Sequence, residues 1–191
     1  METNRPTRPV PTSRQPLVVR GALVAAVALL AFLAALIIVN RDDEPASSPP
    51  AGPAAATSAE GLRSFAASAG HDVYWAGPQE NRTYELTKTS DGRVFIRYLP
   101  SSAKPGDRRP RFLTVGTYPR KSAFADLRRA ARAKGAVSLP LERGGLMVFS
   151  EATPKSVYMG YPNAAYQVEV FHPSAAVARR LVLSGQVRPI R

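Results

Sequence analysis

Thr83-Tyr84-Glu85-Leu86-Thr87-Lys88-Thr89, then Ser90-Asp91-Gly92, then Arg93-Val94-Phe95-Ile96-Arg97-Tyr98-Leu99 is the stretch that decides the fold. Both arms are rich in β-branched and aromatic residues, and the insert ends in a glycine able to take the positive φ of a tight loop. Residues 83–89 and 93–99 therefore predict an antiparallel hairpin. Side chains alternate along a strand, so Val94, Ile96 and Tyr98 share one face and Arg93, Phe95 and Arg97 the other. The first face is core. The second reads either as a solvated face or as a sheet surface offering arginine to an anionic group.

Outward from the hairpin, helix and strand signals alternate. Thr57-Ser58-Ala59-Glu60 has the form of a capping box, with Thr57 as cap, and Leu62, Phe65, Ala66 and Ala69 then fall on one helical face before Gly70. Residues 73–75 and 112–118 read as strands. Residues 122–134 read as a helix with Phe124, Leu127, Ala130 and Ala131 inward and Arg128, Arg129 and Arg132 outward. A second hairpin is expected from residues 137–141 and 146–150 around Arg143-Gly144-Gly145, followed by strands at 157–161 and 166–171. A helix over 173–184 and a strand over 187–190 close the chain. Leu62-Arg63 to Gly70 and Leu127-Arg128 to Gly135 repeat a helix–glycine–strand pattern, with a looser copy at 179–187; the grammar of helix endings accounts for it more simply than duplication does.

Upstream lies GALVAAVALLAFLAALIIV, residues 21–39, nineteen residues without a charge. At about 1.5 Å per residue this approaches the ~30 Å hydrocarbon core of a bilayer, and only a helix satisfies its backbone there. The block is too long for a signal peptide and ends in Leu36-Ile37-Ile38-Val39, where a cleavage site needs small residues. Arg5, Arg8, Arg14 and Arg20 precede it, while Arg41-Asp42-Asp43-Glu44 follows, so the positive-inside rule places the N-terminus in the cytoplasm. The expected organisation is a disordered cytoplasmic tail (1–16), a transmembrane helix (17–40), a Pro/Ala/Ser stalk (41–56) and an extracytoplasmic domain (57–191). The fold class is α+β: the outer domain is a mostly antiparallel sheet with about three helices packed on it.

The 191 residues carry 26 Lys+Arg against 14 Asp+Glu, a formal net charge of +12. The whole excess falls in residues 61–191, with 21 bases and nine acids. Outside a plasma membrane the polyanions at hand are lipid headgroups and envelope polymers, and nucleic acid is not an expected partner. Lys104, Arg108, Arg109, Arg111, Arg128 and Arg132 are the candidate polyanion-binding residues; the alternative is a solvated surface in an Arg-rich chain.

Without cysteine there is no thiolate, disulfide or Cys-based metal site, and two histidines do not make a metal cluster. No cofactor, metal or catalytic residue is expected. Ser101-Ser102-Ala103-Lys104 fits S-x-x-K, but Pro105-Gly106 ends any helix that could bring serine and lysine together. His71 and His172 sit at element junctions, and Glu80, Glu85, Glu142, Glu151 and Glu169 are scattered without catalytic spacing.

The strings Val73-Tyr74-Trp75-Ala76-Gly77-Pro78, Tyr84-Glu85-Leu86-Thr87, Asp91-Gly92-Arg93 and Arg97-Tyr98-Leu99-Pro100 resemble a group of uncharacterised single-pass membrane proteins of actinobacterial type. The resemblance covers the outer domain from about Leu62 and implies membrane anchoring in a bacterial envelope, with no activity attached. The expected function is a non-enzymatic binding or scaffold module that engages an envelope protein or an anionic component. The alternative is an envelope hydrolase or transferase, which requires a cleft gathering His71, His172 or a carboxylate with the Ser101/Lys104 loop. The oligomeric state is left open.

Overall fold

In a computed structural model, residues 52–107 and 109–191 are described. The tail, the apolar stretch and most of the stalk, together with Arg108, lie outside the described residues. Among those described, no helix is long and apolar enough to cross a membrane.

The decisive hairpin is present as β3 (Arg82–Lys88) and β4 (Val94–Pro100), paired in antiparallel register from Arg82↔Pro100 to Lys88↔Val94. Gly92, at φ 81°, closes the loop with Gly92 N–H bonded to Thr89 O at 3.0 Å. Around it an eight-stranded, wholly antiparallel sheet forms in the order β1-β3-β4-β5-β9-β8-β7-β6. The added strands are β1 (Ala55–Thr57), β5 (Thr114–Pro119), β6 (Ala136–Pro140), β7 (Leu146–Ser150), β8 (Ser156–Gly160) and β9 (Tyr166–Phe171). The second expected hairpin is β6–β7, turning through a short 3-10 segment at Glu142–Gly144. A two-stranded ribbon, β2 (Tyr74–Trp75) against β10 (Arg188–Pro189), brings the end of the chain back beside residues 74–75.

Three helices cover the sheet: α1 (Ala59–Ser68), α2 (Ala123–Ala130) and α3 (Ala175–Leu183). Each is followed by a glycine in the left-handed region, Gly70 (φ 73°), Gly135 (φ 74°) and Gly185 (φ 69°), a conformation that costs other residues strain. The recurrence seen in sequence is thus three copies of one helix-ending device. The cap of α1 lies one residue later than the capping-box reading: Ser58, not Thr57, accepts from Gly61 N–H at 3.2 Å. Glu60 pairs with Arg63 at 3.3 Å. Chain order also begins before Thr57. Ala55–Thr57 pair with Tyr84–Leu86, and Gly52 N–H donates to Lys88 O at 2.9 Å, so residues assigned to the stalk form an edge strand.

The two faces of the sheet differ. On one, Val94, Ile96, Tyr98, Val115, Met147, Val157, Met159, Val168 and Val170 pack under Leu62 of α1 and Ala178, Leu181 and Val182 of α3. This is the main core. On the other, α2 inserts Leu127 against Val148 and Tyr158, and the 101–113 loop folds across β3 and β4. α2 buries Ala123, Asp126 and Leu127, whereas Phe124, Ala130 and Ala131, expected inward, are half-buried.

Candidate functional site

One open cleft of about 860 Å³ lies at the end of α3. Five separated segments build it: the α1–β2 junction (His71, Asp72), β2 (Tyr74), the β6–β7 turn (Leu141, Glu142, Arg143), the β8–β9 loop (Tyr161 to Tyr166), and the C-terminal run from Val182 to Arg191. A hydroxyl–carboxylate chain crosses its floor. Tyr74 Oη and Tyr166 Oη are 3.1 Å apart, Tyr166 Oη donates to Asp72 Oδ2 at 3.1 Å, and Arg191 Nη1 donates to Asp72 Oδ1 at 2.9 Å. Burial raises both phenol pKa values, with the neighbouring hydroxyl and the charge of Asp72 acting on each, so the chain stays protonated at the tyrosines across neutral pH.

The cleft wall is preformed. Gly145 lies under the Tyr161 ring so closely that a Cβ there would sit 2.6 Å from Cε1. Arg143 (φ 54°) and Asn163 (φ 64°) hold left-handed backbone on facing rims, two of three such non-glycine residues among those described. Strain of this kind costs of order 1–3 kcal/mol per residue and gathers at sites where geometry matters. Leu183 projects into the cleft 51% exposed.

A second hollow, about 370 Å³, lies on the other flank of α3 and is lined by Arg82, Tyr98, Ser102, Arg111, His172 and Leu181 among others. His172 Nδ1 accepts from Ser174 N–H at 2.9 Å, and burial lowers its pKa. The two histidines lie in different hollows. His71 reaches the larger cleft with Asp72, whereas His172 lines the smaller one with Ser102; Ser101 and Lys104 line neither. The S-x-x-K segment is a turn, with Ala103 N–H bonded to Pro100 O at 2.9 Å.

The candidate basic residues divide into two sets. Arg109 is clamped on Asp107 (Nε–Oδ1 2.8 Å, Nη2–Oδ2 2.5 Å), and Arg111 reaches the same carboxylate at 3.3 Å. The side chain and backbone amide of Arg109, then the charge of Arg111, hold the Asp107 pKa well below the carboxylate range. Lys104, Arg128 and Arg132 are exposed and carry no ion pair among the described residues. The loop and α2 cover the same face of the sheet, so both sets point to one side of the molecule.

Sequence reasoning missed the burial of two acids on the strands, Glu85 and Glu169. Glu85 takes Arg97 Nη1 and Gly106 N–H, both at 2.6 Å, while Arg97 Nη2 bonds Asp107 O and its guanidinium lies 5.1 Å from the Phe112 ring centre. Arg97 is therefore committed to the fold, neither solvated nor offered to a ligand. Glu169 accepts from Tyr118 Oη at 2.6 Å and Tyr158 Oη at 3.2 Å beneath α2; burial raises its pKa against these bonds. No group of three or more acids, histidines or cysteines could hold a metal ion among the described residues. The architecture is an eight-stranded antiparallel α+β module with an open cleft on one side and a basic helix on the other. No family model, curated protein or solved structure matches the chain.

Proposed function

We propose that the chain is a single-pass membrane protein of the bacterial envelope whose extracytoplasmic domain is a non-enzymatic binding module, and that its cleft takes a segment of a partner protein. The composition of the cleft carries this reading. Tyr74, Tyr161, Tyr166, Arg143, Arg188 and Arg191 line it, together with the exposed Leu183. Tyrosine and arginine are the residues that dominate protein–protein hot spots, because each supplies large contact area with a polar handle. An open trough also suits a chain segment better than a small ligand, which a pocket normally buries on most sides. The anchor rests on the uncharged stretch 21–39 and on the arginines that precede it.

A photo-crosslinking residue at Arg188 in intact cells tests the binding role, with the same residue at Arg63 on α1 as control. A discrete adduct from position 188, absent at 63 and lost in Leu183→Asp, supports the reading. The same adducts from both positions, or none from 188, overturn it.

A further inference from the structure

The face opposite the cleft carries a row of exposed cations. Lys121, Arg128 and Arg132 are spaced by seven and four residues, which at 3.6 residues per turn places them on one stripe of α2 and its flanking turns. The stripe points away from Ala123, Asp126 and Leu127, which face the sheet. Asp126 is the only acid between residues 121 and 134 and is already occupied. It takes Arg120 Nε, Ser122 Oγ at 2.6 Å and Arg129 Nη1 at 3.3 Å. Burial opposes its charge, but those bonds and the charges of Arg120 and Arg129 prevail and lower its pKa, so it stays an anion bound to its own neighbours. Lys121, Arg128, Arg132 and Lys134 are exposed and carry no ion pair among the described residues. Lys104 adds another free cation from the loop over the other half of the same face.

The tether limits where this face can go. Twelve residues lie between Val39 and Gly52, thirteen steps with a reach of at most about 47 Å at ~3.6 Å each. Gly52 joins the sheet at its β1–β3 edge, and α2 lies over the half that holds β7 and β8. Five strand spacings, about 24 Å at ~4.8 Å each, separate β1 from β8, so the tether is long enough for α2 to reach the bilayer that holds the anchor.

We infer that the Lys121/Arg128/Arg132 face of α2 docks on anionic phospholipid headgroups of the same bilayer that holds the anchor, turning the cleft outward. The inference rests on the anchor proposed above. Headgroup phosphates attract each nearby Lys or Arg, and the attraction is screened by salt. Because the cleft opens beside α3 on the opposite face of the sheet, docking through α2 presents it to partners and fixes its orientation.

The chain has no cysteine, so Ala125→Cys, exposed within the stripe, gives a unique labelling position. The full chain carrying a fluorophore there is reconstituted in nanodiscs of phosphatidylcholine, with or without ~30% phosphatidylglycerol, and energy transfer to a headgroup acceptor is read. The expected result is at least a threefold higher transfer in the anionic discs, abolished by 0.5 M salt and by Lys121→Glu/Arg128→Glu/Arg132→Glu. Equal transfer in both discs, or transfer that survives the triple reversal, overturns the inference alone. Salt-sensitive binding of soluble long-chain polyphosphate, with no response to anionic discs, overturns it in favour of a polymer. A chain that does not enter discs at all overturns the anchor, and this inference with it.

Discussion

The two faces of one sheet solve the problem of burial differently. Under α1 and α3 the covered side chains are almost wholly aliphatic and aromatic, and the polar chemistry is pushed to the end of α3, where the cleft opens. Under α2 and the 101–113 loop three carboxylates are buried, Glu85 at 2%, Glu169 at 5% and Asp126 at 7% exposure, with cations left over on the outside. The first face is an apolar core. The second makes the domain polar inside and basic outside, and both properties can be tested separately from the core.

The largest expected effect is at Arg97. Removing one partner of a buried pair strands the other, so Arg97→Ala is expected to cost about 3–5 kcal/mol in chemical denaturation. Arg97→Met with Glu85→Leu should recover most of that loss, since an apolar pair of similar volume often matches a buried ion pair. A double variant no more stable than the single one would show that the loop, rather than the pair, holds this half of the face. Leu62→Ala, on the apolar face, should cost about 2–5 kcal/mol by leaving a cavity at a fully buried side chain. A loss below about 1 kcal/mol would mean that α1 is not part of the cooperative core.

Glu169 sharpens the contrast through pH. Its native pKa is raised by burial, so its contribution to stability is full below the ordinary glutamate pKa and is lost as pH rises through the native value. Glu169→Gln removes that dependence. The variant is expected to gain on the wild type as pH rises above the ordinary glutamate range, by about 1.4 kcal/mol per pH unit until the native carboxyl itself titrates, in thermal melts followed through neutral pH. A parallel pair of melting curves would place Glu169 outside the titrating set. The smallest effect belongs to the α1 cap: Ser58→Ala should cost about 1 kcal/mol, and Thr57→Ala should lose little of the helix, because Ser58 makes the bond to Gly61.

How much of this the sequence carried follows from the separation of the partners. The hairpin loop around Asp91 fixes its register, so Glu85 opposite Arg97 was readable as a pair, and taking the Arg97 face as solvated or ligand-binding overlooked it. The environment of Glu169 was not readable, because Tyr118 lies 51 residues away on a strand joined only by the fold. The cleft is more distant still. Asp72 and Arg191 are 119 residues apart and meet because β10 returns to β2, so the two local junctions gave no sign of a shared site. Ala55-Ala56 looked like stalk, and Thr57 like a helix cap, because their strand identity comes from pairing with β3, not from propensity. The unpaired cations of α2 were legible as an outward stripe, but which arginines were free depended on Asp107 and Asp126, whose partners only the folded loop and helix reveal.

Orientation across the membrane is the claim on which the cleft and the basic face both depend. Single cysteines at Leu183, exposed in the cleft, and at Thr7, before the apolar stretch, can be challenged with a membrane-impermeant maleimide in intact cells. Leu183→Cys is expected to label in intact cells, and Thr7→Cys only after lysis. Labelling of Thr7→Cys from outside, or protection of Leu183→Cys until lysis, would contradict this orientation.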